Sequence, residues 1–281
     1  MTEASGIRDR DAGLRPRQSS DGLWRQLAES LRNPEFWALS SWLDTIVRAR
    51  KSRFGILWLV APSAVYIFGL GSFFAAMRHI PLIHFAAHIA LGAMVFRSLM
   101  STVIGSANVF SGSHAFIMDG HVRLTDYIMQ ALAKAFFDMV MYVPMTVVAL
   151  AMYGDVRWQG LVLAPVTLLV LYVNAFWLSV VFALVGARFS DFGQLLGNVA
   201  IFLFLLTPII WYPSDMPADS PRGQFMRLNP FFHFVTLFRA PILGEPVEPQ
   251  SMVYIAIMTV VGLVAATFLY RRYSRFVPLW I

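Results

Sequence analysis

The fold class that this chain predicts is an all-α, polytopic membrane protein with six transmembrane helices, and three observations carry it. Six stretches are long and apolar, the charged residues are concentrated between and around them, and little chain is left over to fold as a soluble domain. Composition agrees, since 58% of residues are hydrophobic and 14% charged, outside the range of ordinary soluble domains. A helix crossing about 30 Å of hydrocarbon needs about 20 apolar residues. Residues 54–76, 161–185, 192–213 and 252–270 supply that with no charge at all. Residues 83–104 and 127–152 supply it too, interrupted only by Arg97, Lys134 and Asp138.

Taken in order, residues 1–21 are rich in Gly, Ser, Arg and Asp, with few large apolar side chains to bury, and read as a disordered cytoplasmic tail, the domain boundary falling at 22. From Leu23 the pattern changes. Leu23, Leu27 and Leu31 repeat every fourth residue, and Asn33-Pro34-Glu35 then supplies an N-cap, a first-turn proline and a first-turn acid for a second helix. Phe36, Leu39, Leu43, Ile46 and Val47 form one stripe of that helix, while Arg48, Arg50, Lys51 and Arg53 crowd its end. Residues 23–53 therefore read as amphipathic helices lying in the plane of the membrane interface. The transmembrane domain follows over 54–275, and 276–281 form a C-terminal cytoplasmic end. The first apolar run starts behind too long a polar tail for a cleaved signal peptide, so every span is expected to be retained.

Six crossings put both termini on one side, and the basic residues say which. Of 22 Lys and Arg, ten precede the first span; with Arg123, Arg188, Arg271, Arg272 and Arg275 that side holds fifteen, against five opposite. The positive-inside rule makes both ends cytoplasmic. The net charge of +6 is then explained by topology and contact with anionic lipid, without nucleic acid.

Charges inside spans cost about 3 kcal/mol each at a helix centre unless they find partners or water. Arg97 and Asp138, counted along their helices, lie within one turn of the same depth, which predicts an ion pair between neighbouring spans, with Lys134 snorkelling toward the cytoplasm. Absent cysteine excludes disulfides, thiolate metal sites and a cysteine nucleophile. His84 and His88 share a helical face, and His114 and His121 flank Asp119, but no third ligand or nucleophile accompanies either pair, so all four are read as satisfied or solvent-facing. No metal is expected. Gly193 and Gly197 permit close helix approach, within one copy or between two, and Thr207-Pro208 marks a kink in the fifth span. Seven prolines between Pro213 and Pro249 surround a short apolar helix after Asn229-Pro230, which predicts short re-entrant helices on the periplasmic side.

Two segments carry a family resemblance. The run Arg50-Lys-Ser-Arg-Phe-Gly-Ile-Leu-Trp58-Leu-Val-Ala-Pro62, behind an amphipathic helix, resembles the start of the membrane domain in ABC-2 type transporter permeases. Leu228-Asn229-Pro230-Phe231-Phe232-His233, leading to Leu237-Phe238-Arg239-Ala240-Pro241-Ile242-Leu243-Gly244, is similar to the periplasmic segment of the polysaccharide-exporting branch, the O-antigen and capsule permeases. The resemblance implies an inner-membrane homodimer working with two copies of a separate ABC ATPase to export a lipid-linked polysaccharide. ATP and Mg would be bound by that partner, consistent with the absence here of any Gly-x-x-x-x-Gly-Lys-Ser/Thr loop; the chain itself would be no enzyme. In these terms Arg48, Arg50, Lys51 and Arg53 would meet the lipid pyrophosphate. His114, Phe116, Asp119, Gly120 and Arg123 would couple to the ATPase, although related permeases often have a basic, proline-ended sequence where Asp119-Gly120 stands. Tyr66, Phe73, Phe202 and Phe204 would line the substrate pathway, and Asn229, Pro230, His233 and Arg239 would form a periplasmic gate. The rival expectations are the same fold exporting another amphiphile (a drug, a teichoic-acid-like polymer or a lipid), a membrane-embedded transferase, and a secondary transporter relaying protons on Asp138.

Overall fold

The computed structural model describes residues 22–51, 54–118 and 122–281; the predicted tail over 1–21 lies outside them. Two helices precede the spans, Leu23–Arg32 (α1) and Glu35–Arg50 (α2). The first crossing is Ile56–Ala64 (α3), a π-helical turn over Val65–Leu70, and Gly71–Arg78 (α4), forming one continuous rod. Pro62, which has no N–H to donate, sits just before the widened turn. Then follow Leu82–Val109 (α5), the short His114–Met118 (α6), Leu124–Tyr153 (α7), Trp158–Arg188 (α8) and Phe192–Leu206 (α9). Pro221–Arg227 (α10), Pro230–Leu243 (α11), Pro249–Tyr273 (α12) and Val277–Trp280 (α13) complete the described chain. All regular structure among the described residues is helical, as predicted.

Among the described residues five helices are long and apolar enough to cross a membrane. The fifth predicted span is the exception: α9 has 15 residues and stops at Leu206. Pro208 cannot donate a backbone hydrogen bond, and the Thr207 hydroxyl donates back to the Leu203 carbonyl (2.7 Å), so an irregular segment from Thr207 continues instead to Tyr212. Its ends still reach opposite sides. Gly193 abuts Asn108 at one end of α5, and Tyr212 packs against His88 near the other.

The core is organised around α5, whose apolar window is 78% buried, against 22% for the first crossing and 17% for α12. Its neighbours α7, α8, α9 and α11 surround it. Glycines set the closest approaches. A Cβ on Gly186 of α8 would stand 1.8 Å from the Ala107 carbonyl of α5, and one on Gly262 of α12 would stand 2.2 Å from the Trp177 ring of α8. The two ends of the described chain lie on one side of the bundle: Trp24 donates to Thr267 (3.2 Å) and the Tyr270 hydroxyl donates to Gln26 (2.5 Å).

The predicted interfacial helices differ from expectation in attitude. Phe36 meets Tyr127, Asp44 meets Lys134 and Arg48 meets Asp138, a nearly constant offset in residue number, so α2 runs parallel to α7 and beside it. It does not lie across the spans. Its buried face is Ser41 and Thr45, while Leu39, Leu43 and Val47 of the predicted apolar stripe are exposed, as a stripe that faces lipid would be. In α1, Leu23 is buried as expected, but Leu31 is 55% exposed and Gln26 and Ser30 are the residues that pack inward.

Candidate functional site

A groove of about 910 Å³ opens on the side that carries the described chain ends, between α2, α5 and α7. Asp44, Arg48, Lys51, Asn108, Lys134 and Asp138 are among its polar residues. Two ion pairs rung α2 onto α7, Asp44 with Lys134 at 2.5 Å and Arg48 with Asp138 at 3.1 Å. Each joins positions four apart on both helices, which is why two parallel helices can make both at once. A second cavity of about 360 Å³ adjoins the groove and shares Arg48, Ser101 and Asp138 with it. Trp58, Leu59 and Pro62 of α3 form one wall; Arg97, Tyr142 and Ser98 stand on the others. Together the two make a crevice in which four cations, Arg48, Lys51, Lys134 and Arg97, face two carboxylates.

The predicted Arg97 to Asp138 pair is not formed, although both residues line the same cavity. Asp138 is taken by Arg48 and by the Ser101 hydroxyl (3.2 Å). Arg97 lies instead over the rings of Tyr66 (4.9 Å) and Tyr142 (5.6 Å), a cation–π arrangement. Among the described residues no carboxylate stands within ion-pair distance of it. The geometrical reason is that α2 climbs alongside α7 and brings Arg48 within reach first.

The other residues named from sequence separate into groups. Arg48 and Lys51 line the groove, Arg50 is exposed, and Arg53 lies outside the described residues. Tyr66 and Phe204 meet edge to face (6.1 Å), and the ring series continues through Phe96 to Phe231. Phe73 and Phe202 are exposed away from that series. His114 and Phe116 are exposed; Asp119, Gly120 and His121 are outside the described residues. Arg123 is committed within the chain: its Nε donates to Glu29 of α1 (2.9 Å), its guanidinium lies 3.7 Å from Asp126, and Asp126 accepts from its backbone N–H. The Arg123 hydrogen bond holds the Glu29 carboxyl below its ordinary range.

On the far side, the expected gate residues are gathered and buried. Asn229 caps α11 through the Phe231 N–H (3.1 Å) and donates to Thr207 (2.9 Å), with Pro230 at the first helical position. His233 donates from Nε2 to the Arg227 carbonyl and accepts at Nδ1 from Ser251, both at 2.8 Å. Arg239 is fully buried, pairs with Glu245 (3.0 Å) and donates to the Pro208 carbonyl. Glu245 also meets His88 Nδ1 at 3.0 Å, and His88 Nε2 lies 3.1 Å from the Trp211 carbonyl. Burial raises the Glu245 carboxyl, but the His88 hydrogen bond and the Arg239 charge outweigh it and hold the group down at about 2. Two further pairs, Arg78 with Asp215 and Arg227 with Glu248, tie this face together. Sequence reasoning missed Glu245 and the role of His88; the adjacent Gly244, at φ 71, was the available sign that the chain turns back there onto α11.

No family model matches the chain. Over 227 residues, 80% of this chain and 86% of the relative, it is 21% identical to the O-antigen export system permease protein RfbA of Myxococcus xanthus. With an all-helical polytopic fold beneath it, the resemblance to ABC-2 type polysaccharide-exporting permeases, first drawn from the segments around Trp58 and Asn229, is borne out along most of the chain.

Proposed function

We propose that this chain is the membrane-spanning permease subunit of an ATP-driven exporter that carries a lipid-linked polysaccharide, O-antigen-like or capsular, across a bacterial inner membrane. The observation that carries this reading is the similarity over 80% of the chain to a permease of an O-antigen export system. Both termini are cytoplasmic in it, in keeping with fifteen basic residues on their side. ATP and Mg sit on two copies of a separate ATPase, which receives force through the exposed His114 and Phe116 of α6 and through α1, clamped to α7 by Arg123.

The chain works as a homodimer, with the conduit between copies. Supporting this, a Cβ on Gly197 of α9 meets nothing within 4 Å, whereas one on Gly193 would strike Asn108 of its own α5; one half of the small-residue pair is left open to a second copy. The lipid end enters along the groove beside α2, where Arg48 and Lys51 stand. ATP hydrolysis in nanodiscs, with and without the cognate ATPase and a lipid-linked glycan, tests the reading. Hydrolysis that requires the partner and rises with the glycan is expected. Transport or modification of a substrate by the isolated chain would overturn it in favour of a secondary transporter or a transferase.

A further inference from the structure

Arg97 is the outstanding electrostatic problem of the described residues. It lies near the middle of α5, the most buried crossing, yet its own side chain is exposed, and it is exposed into a cavity. A charge at that depth is stabilised by an anion or by water. A second observation points to the same space. The Tyr142 hydroxyl is buried with no hydrogen-bond partner among the described residues, in a side chain only 7% exposed that lines the cavity below Arg97. Buried hydroxyls are nearly always partnered. An unpaired fork of N–H donors and a tyrosine whose hydroxyl has no partner thus line one cavity of about 360 Å³. The π-helical turn carries Tyr66, whose ring lies 4.9 Å from the Arg97 guanidinium.

We propose that this cavity is an intramembrane binding site for the phosphate oxygens of an anionic lipid, held by the Arg97 guanidinium and the Tyr142 hydroxyl and reached through the groove beside α2. A guanidinium takes two phosphate oxygens at once and a phenol donates to a third. Arg48, Lys51 and Lys134 along the groove keep the approach net positive. Asp138, the one carboxylate of the inner cavity, is neutralised by Arg48, so it does not repel the ligand. Chain tails remain in lipid because Leu43 and Val47 leave the groove wall apolar.

The phosphate can belong to the diphosphate of a lipid-linked glycan, which rests on the exporter reading, or to an ordinary phospholipid headgroup, which does not. Native mass spectrometry of the purified full-length chain, titrated with farnesyl diphosphate, farnesol and phosphatidylglycerol, separates these. Farnesyl diphosphate is expected to bind and farnesol to fail. If phosphatidylglycerol competes equally, the site takes membrane headgroups; if it does not compete, it takes diphosphate lipids. Arg97→Gln should weaken phospholipid or diphosphate binding by about tenfold or more and Tyr142→Phe by about threefold, with Arg97→Lys in between. Should Arg97→Gln fail to fold, the Tyr142→Phe and Arg97→Lys variants decide. Binding in these variants equal to that of the parent chain would overturn the proposal. The assay contains no ATPase and reads no export, so its failure is distinct from failure of the exporter reading.

Discussion

Arg239, Glu245 and His88 form a unit in which each member depends on the others. Arg239 is fully buried, and removing its carboxylate partner strands a cation in a low dielectric. Glu245→Gln is therefore expected to destabilise the protein by about 3–5 kcal/mol, read as a lowered thermal unfolding temperature in detergent. The same carboxyl gives a pH signature. Its folded value is depressed to about 2 from an ordinary 4.5, so its stabilisation is complete above the unfolded value and disappears as pH falls from there toward the folded one. The parent chain should lose stability between about pH 4.5 and 2 more steeply than Glu245→Gln does, the variant having no proton to take up at that position. Equal slopes would contradict the assignment. None of this was legible in the sequence, because Glu245 lies far along the chain from His88 and nothing in residue spacing reports a contact made by packing. The capping role of Asn229 and Pro230 was legible, because it is local.

The two rungs between α2 and α7 set the attitude of a whole element. Both pairs are about half exposed, with side chains 41–49% accessible, so each contributes about 0–1 kcal/mol, and stability is the wrong place to look for them. Their effect is positional. A swapped pair, Asp44→Lys with Lys134→Asp, should keep a spin-label distance between α2 and α7, whereas Lys134→Asp alone places like charges together and should broaden or lengthen it. Such helices were legible as amphipathic from their stripes, but a stripe fixes only which face is apolar, and the tilt came from partners on α7. The fifth span failed as a continuous helix for a reason visible in outline, Thr207-Pro208, which sequence marked as a kink and which the fold turns into a helix end. Close packing tests the α5 and α8 contact. Gly186→Leu, which would drive a side chain into the Ala107 backbone, is expected to abolish recovery of folded protein, while Gly197→Leu, facing open space, should be recovered folded and, if a second copy packs there, purify as a monomer.

At the scale of the molecule, the class came from composition and run length, since a bilayer imposes both; of the six spans so read, five are long enough to cross among the described residues. The crevice did not, because it is made by segments far apart in the chain; Arg97, Lys134 and Asp138 on its walls were legible only as costly residues that needed partners, and Arg48 and Lys51 only as a basic cluster at the end of α2. What the assembled molecule offers is a basic crevice on the side of the described chain ends, a ring series from Tyr66 to Phe231 through the body, and an ion-paired cap opposite. That order suits an amphiphile admitted at the crevice and released beyond the cap, in keeping with the proposed exporter. The most direct test removes the chain from the cell that makes it and follows the cell's long-chain surface glycans. Loss of one such glycan from the surface, with its lipid-linked form accumulating inside and both defects repaired by the parent chain, is the expected result; unchanged surface glycans with no internal accumulation would contradict the account.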